Sequence, residues 1–206
     1  GLTDLWRRSV RLKVEAKWYL AAFGIPLILA AVSLGFGLMS TGGKMDYTAK
    51  LPIGSFIPFF FYMLIFTGIA EEPGWRGFAL PHLQARYNSL TASLALGLLW
   101  ALWHFHPANW SLISISGLFI FVNIFATTMI YTWLFNHTRG SLLLMSIFHA
   151  MQNTAGVFLP IGGTTRIVIA GLTWVVALAA LLISSQKSFE PDNLPQPRPV
   201  SSDVGQ

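Results

Sequence analysis

The sequence predicts an all-α protein, a polytopic bundle of about six transmembrane helices. Hydrophobic residues make up 54% of the 206 residues, charged residues only 10%, and the mean hydropathy is +0.59. A soluble domain carries roughly a quarter charged residues, so most of this chain belongs in lipid. Cysteine is absent, which excludes a disulfide framework and every thiolate metal site.

Six apolar runs follow one another, separated by polar or turn-forming segments. The first begins at Trp18, after a basic amphipathic lead, and ends near Met39. The second begins near Ile53 and is interrupted by Glu71 and Glu72. The remaining runs are Leu90–Phe105, Leu112–Phe135, Leu142–Leu159 and Ile167–Ile183. Because a helix satisfies its own backbone hydrogen bonds in lipid, each run predicts a membrane-spanning helix.

The basic residues predict the orientation of these spans. With a cytoplasmic N-terminus, ten of the thirteen Lys and Arg lie inside, and only Lys44, Lys50 and Arg166 lie outside. Cytoplasmic loops of membrane proteins carry this excess of positive charge. Since the charges sit at the ends of apolar runs, we expect the lipid bilayer, and not nucleic acid, to be their partner.

Three regions are expected along the chain. Residues 1–17 form the basic amphipathic lead on the cytoplasmic side, and residues 18–183 form the transmembrane core. Residues 184–206 are rich in Pro, Ser and Asp, a composition that predicts a disordered cytoplasmic tail.

Two acidic residues stand out because they interrupt an apolar run. Glu71 and Glu72 are adjacent, and the stretch from Trp75 to Leu80 is again largely apolar. A charged residue at the centre of a membrane helix costs about 2.5–3.5 kcal/mol on insertion scales, so two together need a functional reason. The alternative is that they mark the water interface, with Arg76 as an i,i+4 partner of Glu72.

The spacing between Glu71 and His104 predicts a helical hairpin. Their midpoint falls at Tyr87–Asn88, within the most polar, turn-like stretch between them. Two antiparallel helices joined there would bring Glu71 level with His104, about 24 Å from the turn at about 1.5 Å per residue. The second helix would then continue past Ala70 towards Gln84.

Two further polar side chains share one face of a later span. His149 and Asn153 are spaced i,i+4 and lie ten and fourteen residues beyond Arg139, a depth comparable to that of Glu71. Three helices are therefore expected to place these polar side chains at the same depth in the membrane. Alternatively, His149 and Asn153 are hydrogen-bonding groups that join helices, and His104 is a core histidine with satisfied hydrogen bonds.

Other polar residues are weaker candidates. His106 lies two positions after His104, so the two side chains would point about 200° apart on a helix. Pro107 also disfavours helical geometry at His106, which we interpret as a residue at the rim of the site. Packing or interfacial roles are expected for His82, His137 and Asn123.

Three motifs together resemble those of one family, the CAAX prenyl protease and bacteriocin-processing (CPBP, Abi) intramembrane proteases. The sequence EEPGWRGFALP from Glu71 to Pro81 is similar to the EExxxR motif. WALWH, which ends at His104, is similar to the aromatic-x-x-x-His motif, and HAMQN, from His149 to Asn153, is similar to HxxxN. The three occur in order on separate predicted spans, which makes the resemblance specific.

The resemblance implies an intramembrane endopeptidase whose active site lies within the bilayer and opens towards the cytoplasm. It implies that Glu71 is the general base and that His104 helps to hold the attacking water. The other four residues are expected to assist: Glu72 paired with Arg76, and His149 with Asn153 at the oxyanion. The substrate would be a membrane-associated peptide or protein, and the location a bacterial cytoplasmic (inner) membrane.

The resemblance leaves the cofactor and the length of the protein open. The family is commonly described as metalloproteases, so a divalent metal such as zinc is a candidate cofactor. Its ligands would come from Glu71, Glu72, His104 and His149. Family members often carry additional spans before the basic lead, and this chain begins with Gly1 instead of Met, so we expect a piece of a longer protein.

Two other function classes remain open on the sequence. A proton-coupled transporter could use the glutamates and histidines as a relay. It would be expected to show paired repeats with broken helices at corresponding positions, and the sequence shows none. A catalytically inactive scaffold or immunity protein would most simply have lost a motif residue, and none is lost.

Overall fold

The computed structural model describes residues 1–43, 51–104, 115–158 and 164–186, and within these ranges it contains helices and no strands. A short helix, α1 (Leu2–Ser9), comes first. Six apolar helices follow: α2 (Ala16–Ser40), α3 (Ile53–Gln84), α4 (Ser89–Trp103), α5 (Ile115–His137), α6 (Leu142–Phe158) and α7 (Thr164–Gln186). The predicted all-α fold is confirmed. The predicted tail beyond Gln186 lies outside the described residues, as does His106.

The six apolar helices differ in length. In the described ranges, α2, α3, α5 and α7 are long and apolar enough to cross a membrane. Helices α4 and α6 have 15 and 17 residues, which corresponds to about 22–26 Å at about 1.5 Å per residue. Helix α6 contacts α2, α3 and α5, and most of its side chains are buried. It is therefore the central helix of the bundle.

Helix α3, which carries both glutamates, is not α-helical throughout. Two π-helical segments, Leu64–Ile69 and Pro73–Ala79, lie on either side of the α-helical turn Ala70–Glu72. π-Helical turns are rare and occur frequently at functional sites, because they change the direction in which side chains point. Glu71 and Glu72 therefore occupy an irregular part of a long helix.

The connection between α3 and α4 is the predicted hairpin turn. Helix α3 ends at Gln84, and Asn88 caps α4 by accepting a hydrogen bond of 2.9 Å from the backbone N–H of Thr91. An Asn cap of this kind satisfies one of the free N–H groups at a helix start. Across the hairpin, the rings of Trp75 and Trp103 lie 6.1 Å apart, so α3 and α4 contact each other near the end of α4.

Helices α3 and α6 approach each other closely at a glycine. A Cβ atom at Gly68 would lie 2.6 Å from the backbone oxygen of Ser146, closer than non-bonded atoms can lie. Small residues allow membrane helices to approach in this way. Near this close contact, Glu72 on α3 lies within reach of His149 on α6.

Candidate active site

Glu72 and Arg76 form an ion pair within α3, deep in the bundle. Arg76 Nη1 donates a hydrogen bond to Glu72 Oε1 at 2.9 Å, and both side chains are 0% exposed. The pairing predicted from the i,i+4 spacing is present, and it does not mark a water interface. Burying two charges costs several kcal/mol for each ion, so stability alone does not account for the pair.

Two aromatic rings lie against the Arg76 guanidinium. Its Cζ atom is 4.2 Å from the ring centroid of Trp100 on α4 and 3.8 Å from that of Tyr131 on α5. Among the described residues, Arg76 Nε and Nη2 have no hydrogen-bond partner. The cation–π contacts add to the stabilisation of the charge that the ion pair with Glu72 provides.

Sequence reasoning missed both aromatic residues as members of the site. Trp100 was recognised only as the aromatic position of the second motif. No spacing in the sequence connects Tyr131 with Arg76, because the two residues meet only when α3 and α5 pack together.

His149 on α6 binds the same carboxylate as Arg76. Its Nδ1 lies 2.8 Å from Glu72 Oε1, and the imidazole is buried. Because a carboxylate oxygen accepts, His149 Nδ1 must carry the hydrogen. In the neutral imidazole, His149 Nε2 is then an acceptor, and it carries a hydrogen only when the ring is protonated. A role of His149 at the oxyanion would therefore require the protonated ring.

Glu71 lies in a different environment from its neighbour. It is half-buried, and its Oε2 accepts a hydrogen bond of 3.3 Å from Trp75 Nε1. Among the ion pairs that the described residues form, none involves Glu71, whereas Glu72 has two cationic or protonatable partners. The two adjacent carboxylates are therefore chemically distinct.

His104 is held at the end of α4 by the backbone of its own helix. Its Nδ1 donates to the carbonyl oxygen of Trp100 at 2.7 Å, so Nε2 of the neutral ring is an acceptor. The side chain is exposed. The Trp100 ring lies 5.4 Å from the ring of His104 and 5.6 Å from that of His149, so one indole contacts both histidines of the motifs.

Asn153 lies one turn beyond His149 on α6 and also faces α3. Its Nδ2 lies 3.4 Å from Thr67 Oγ1 and 3.9 Å from Met63 Sδ. The structure thus directs both side chains of the third motif towards α3, but against different residues: His149 against Glu72, and Asn153 against Thr67. Asn153 is half-buried, and its amide hydrogens are weakly engaged at these distances.

A cavity of about 530 Å³ reaches Asn153 from the α2, α5 and α7 side. Asn123 and Gln152 line it, and their side-chain oxygens are buried without a hydrogen-bond partner. Asn123 was expected to be a packing residue, and the structure places it instead at this cavity. Arg166 lines the cavity as well.

The side chains present do not fit a three-ligand zinc centre. No three His, Asp or Glu residues of the described ranges lie close enough together to hold a metal ion. The four candidates were Glu71, Glu72, His104 and His149, and no three of them lie close enough together. A catalytic zinc site uses about three protein ligands and an open position.

The remaining histidines lie apart from this cluster. His82 is exposed and its Nδ1 donates to the Phe78 carbonyl. His137 is half-buried near the end of α5, where its ring lies 5.2 Å from that of Trp18. His106, expected at the rim, falls outside the described residues.

Known proteins show where these motifs belong. Residues 53–155, which include all six candidate residues, match the family model described as type II CAAX prenyl endopeptidase Rce1-like. The chain is also 34% identical over 197 residues to CAAX prenyl protease 2 of Methanococcus maripaludis, across 89% of this chain and 70% of the relative. This chain is therefore an integral membrane protein that belongs to the Rce1-like family of CAAX prenyl endopeptidases.

Proposed function

We propose that this chain is an intramembrane endopeptidase that hydrolyses a peptide bond of a membrane-associated substrate with a water activated by Glu71 and His104. The observation that supports this most directly is the difference between the two glutamates. Glu72 binds Arg76 and His149, whereas Glu71 accepts only a long hydrogen bond from Trp75 among the contacts described. The Glu72 carboxylate holds side chains of two helices together, and the Glu71 carboxylate is available to accept a proton.

The water would be held between two acceptors. Because His104 Nδ1 donates to Trp100, Nε2 of the neutral ring can accept one hydrogen of a water while a Glu71 oxygen accepts the other. The lone pair of the water oxygen then attacks the scissile carbonyl carbon. Glu71 accepts the proton during the attack and passes it to the leaving amine, as a general base does in peptide hydrolysis.

The oxyanion that forms in this step needs donors already in place. Asn153 supplies amide hydrogens that are weakly engaged with Thr67. His149 contributes only in its protonated form, for which the Glu72 carboxylate at 2.8 Å is the counter-ion. A single well-placed donor to an oxyanion contributes about 2.7–4 kcal/mol to transition-state stabilisation.

The names of the family and of the relative favour one substrate class. Both include the words CAAX prenyl, so a membrane-anchored polypeptide with a prenylated C-terminal tail is the first substrate to test. The charge asymmetry of the sequence supports a cytoplasmic N-terminus. We further propose residues 18–183 as the catalytic core, placed in a bacterial cytoplasmic membrane.

The proposal is tested by direct cleavage. Purified protein in lipid nanodiscs is incubated with membrane-anchored peptides in matched pairs, with and without a prenyl group, and the cuts are mapped by mass spectrometry. Glu71→Gln keeps the shape of the side chain and removes the base, and Glu15→Gln, an exposed glutamate of the lead, is the control. We expect cuts with the wild type and with Glu15→Gln, and none with Glu71→Gln. Equal cutting by Glu71→Gln would exclude the proposed base.

A further inference from the structure

The amphipathic helix α1 is attached to the helix that carries the site. Arg8 is buried, and its Nη2 donates a hydrogen bond of 2.8 Å to the carbonyl oxygen of Gly77 on α3. Arg8 Nε lies 3.0 Å from Asp4 on α1. Burial lowers the pKa of Arg8, and the Asp4 carboxylate opposes that shift.

The contact between α1 and α3 is also tight sterically. A Cβ atom at Gly77 would lie 2.5 Å from Leu5 Cδ1 and 3.1 Å from Leu142 Cδ1. A side chain at position 77 would therefore force the side chains of Leu5 and Leu142 to shift. Because Gly77 has no side chain, Arg8 can reach the backbone of α3 at this position.

The Gly77 carbonyl needs a donor because of the sequence of α3. In the α-helical register that α3 resumes at Leu80, this oxygen would accept from the backbone N–H of residue 81, and residue 81 is Pro81, which has none. A buried carbonyl without a donor costs about 1–3 kcal/mol. Arg8 supplies the donor from a helix that lies 69 residues earlier in the chain.

The position of this hydrogen bond connects it with the site. Gly77 follows Arg76 directly and lies in the π-helical segment Pro73–Ala79. Arg76 must reach Glu72 while remaining against the rings of Trp100 and Tyr131. A change in the helical turn at Gly77 would rotate Arg76 out of this position.

We propose that Arg8 is a positioning residue of the active site: by donating to the carbonyl freed by Pro81, it holds the π-helical turn that directs Arg76 to Glu72. This inference deepens the proposed function, since the site it positions is the proposed catalytic one. Arg8 itself contacts neither the proposed base nor the proposed oxyanion donors among the contacts of the described residues.

The test uses a variant, a matched control and a rescue. Arg8→Met removes the donor and keeps an unbranched side chain, and Arg7→Met changes the exposed neighbour on the same helix. Pro81→Ala restores a backbone N–H that can donate to Gly77. Hydrogen exchange of the amides of residues 73–84 is measured in all of these and in Arg8→Met/Pro81→Ala. Single-turnover cleavage is measured in parallel.

We expect Arg8→Met to accelerate exchange in residues 73–84 and to lower kcat roughly tenfold, the effect of one charge-assisted hydrogen bond, with KM nearly unchanged. Arg7→Met should behave as the wild type. Pro81→Ala in the Arg8→Met background should restore slow exchange and most of kcat, which a general loss of packing would not permit. If Arg8→Met does not fold, recovery of folding in Arg8→Met/Pro81→Ala counts as the rescue.

Two results would overturn the inference: exchange in Arg8→Met equal to that in Arg7→Met, or a double variant that recovers neither folding nor exchange. Failure of the proposed function is distinguishable from either. If the wild type cleaves no substrate, the exchange of residues 73–84 still decides whether Arg8 holds this turn.

Discussion

His149 and Glu72 lie 77 residues apart in the sequence and are joined by a hydrogen bond of 2.8 Å from Nδ1 to Oε1. Arg76 Nη1 donates to the same oxygen at 2.9 Å, while buried Glu72 Oε2 has no hydrogen-bond partner in the part of the chain that the structure describes. Two donors thus converge on one atom of a fully buried carboxylate. Glu72 connects the first motif with the third, and this role separates it from Glu71.

The first prediction concerns the two glutamates. Glu71→Gln should abolish cleavage with little change in melting temperature, because it removes a base and keeps the shape. Glu72→Gln should lower the free energy of unfolding by about 3–5 kcal/mol, because it leaves Arg76 buried without its counter-ion. Thermal denaturation in detergent and the cleavage assay measure the two effects. The same melting temperature and the same activity for both variants would contradict the assignment.

The second prediction concerns the oxyanion. Asn153→Ala should lower kcat by about 10²–10³-fold and change KM little, because the amide acts mainly in the transition state. Asn153→Asp should be at least as damaging, since it places a negative charge near the developing one. An increase in KM with unchanged kcat would instead make Asn153 a residue that binds substrate or packs against Thr67.

The third prediction concerns the ring against Arg76. Tyr131 is fully buried, and its hydroxyl has no hydrogen-bond partner among the described residues, so Tyr131→Phe should leave stability unchanged or raise it. Tyr131→Leu removes the cation–π contact and should destabilise by at least about 0.5–2 kcal/mol. The melting temperatures of the two variants separate the contribution of the ring to stability from that of the hydroxyl. A large loss of kcat in Tyr131→Phe would show that the hydroxyl takes part in the reaction.

The fourth prediction compares two glycines of α3. Gly68→Ala would place a methyl group 2.6 Å from a backbone oxygen of Ser146, which should cost about 1–3 kcal/mol and weaken the contact of Glu72 with His149. Gly74→Ala meets nothing within 4 Å and should leave stability and cleavage near the wild-type values. Equal stability of the two variants would show that α3 and α6 can separate without cost.

The fifth prediction concerns metal. Because no three His, Asp or Glu residues of the described ranges lie close enough together to hold a metal ion, we expect active protein to contain less than one equivalent of zinc after chelation. Elemental analysis measures the zinc content, and a cleavage assay on the same sample measures activity, with Glu71→Gln as the inactive control. Loss of cleavage on chelation that is restored by stoichiometric zinc would contradict the prediction.

Some of the site could be predicted because it follows from local spacing. The pairing of Arg76 with Glu72 is an i,i+4 relationship within one helix, and the hairpin turn near Asn88 follows from a short polar stretch between two apolar runs. The prediction that three helices place their polar residues at one depth in the membrane followed from counting residues from the turns. The shared level of Glu71 and His104 stays a prediction.

The sequence by itself determined the membrane location, the helices and the chemistry available, because apolar length and residue type depend on the chain alone. Only the tertiary structure decided that His149 donates to Glu72, that Tyr131 lies against Arg76 and that Arg8 reaches Gly77. These contacts join residues far apart in the chain, and they depend on helix rotation and on the close approach at Gly68. Helix rotation is set by the packing of all neighbouring side chains together, which no local spacing encodes.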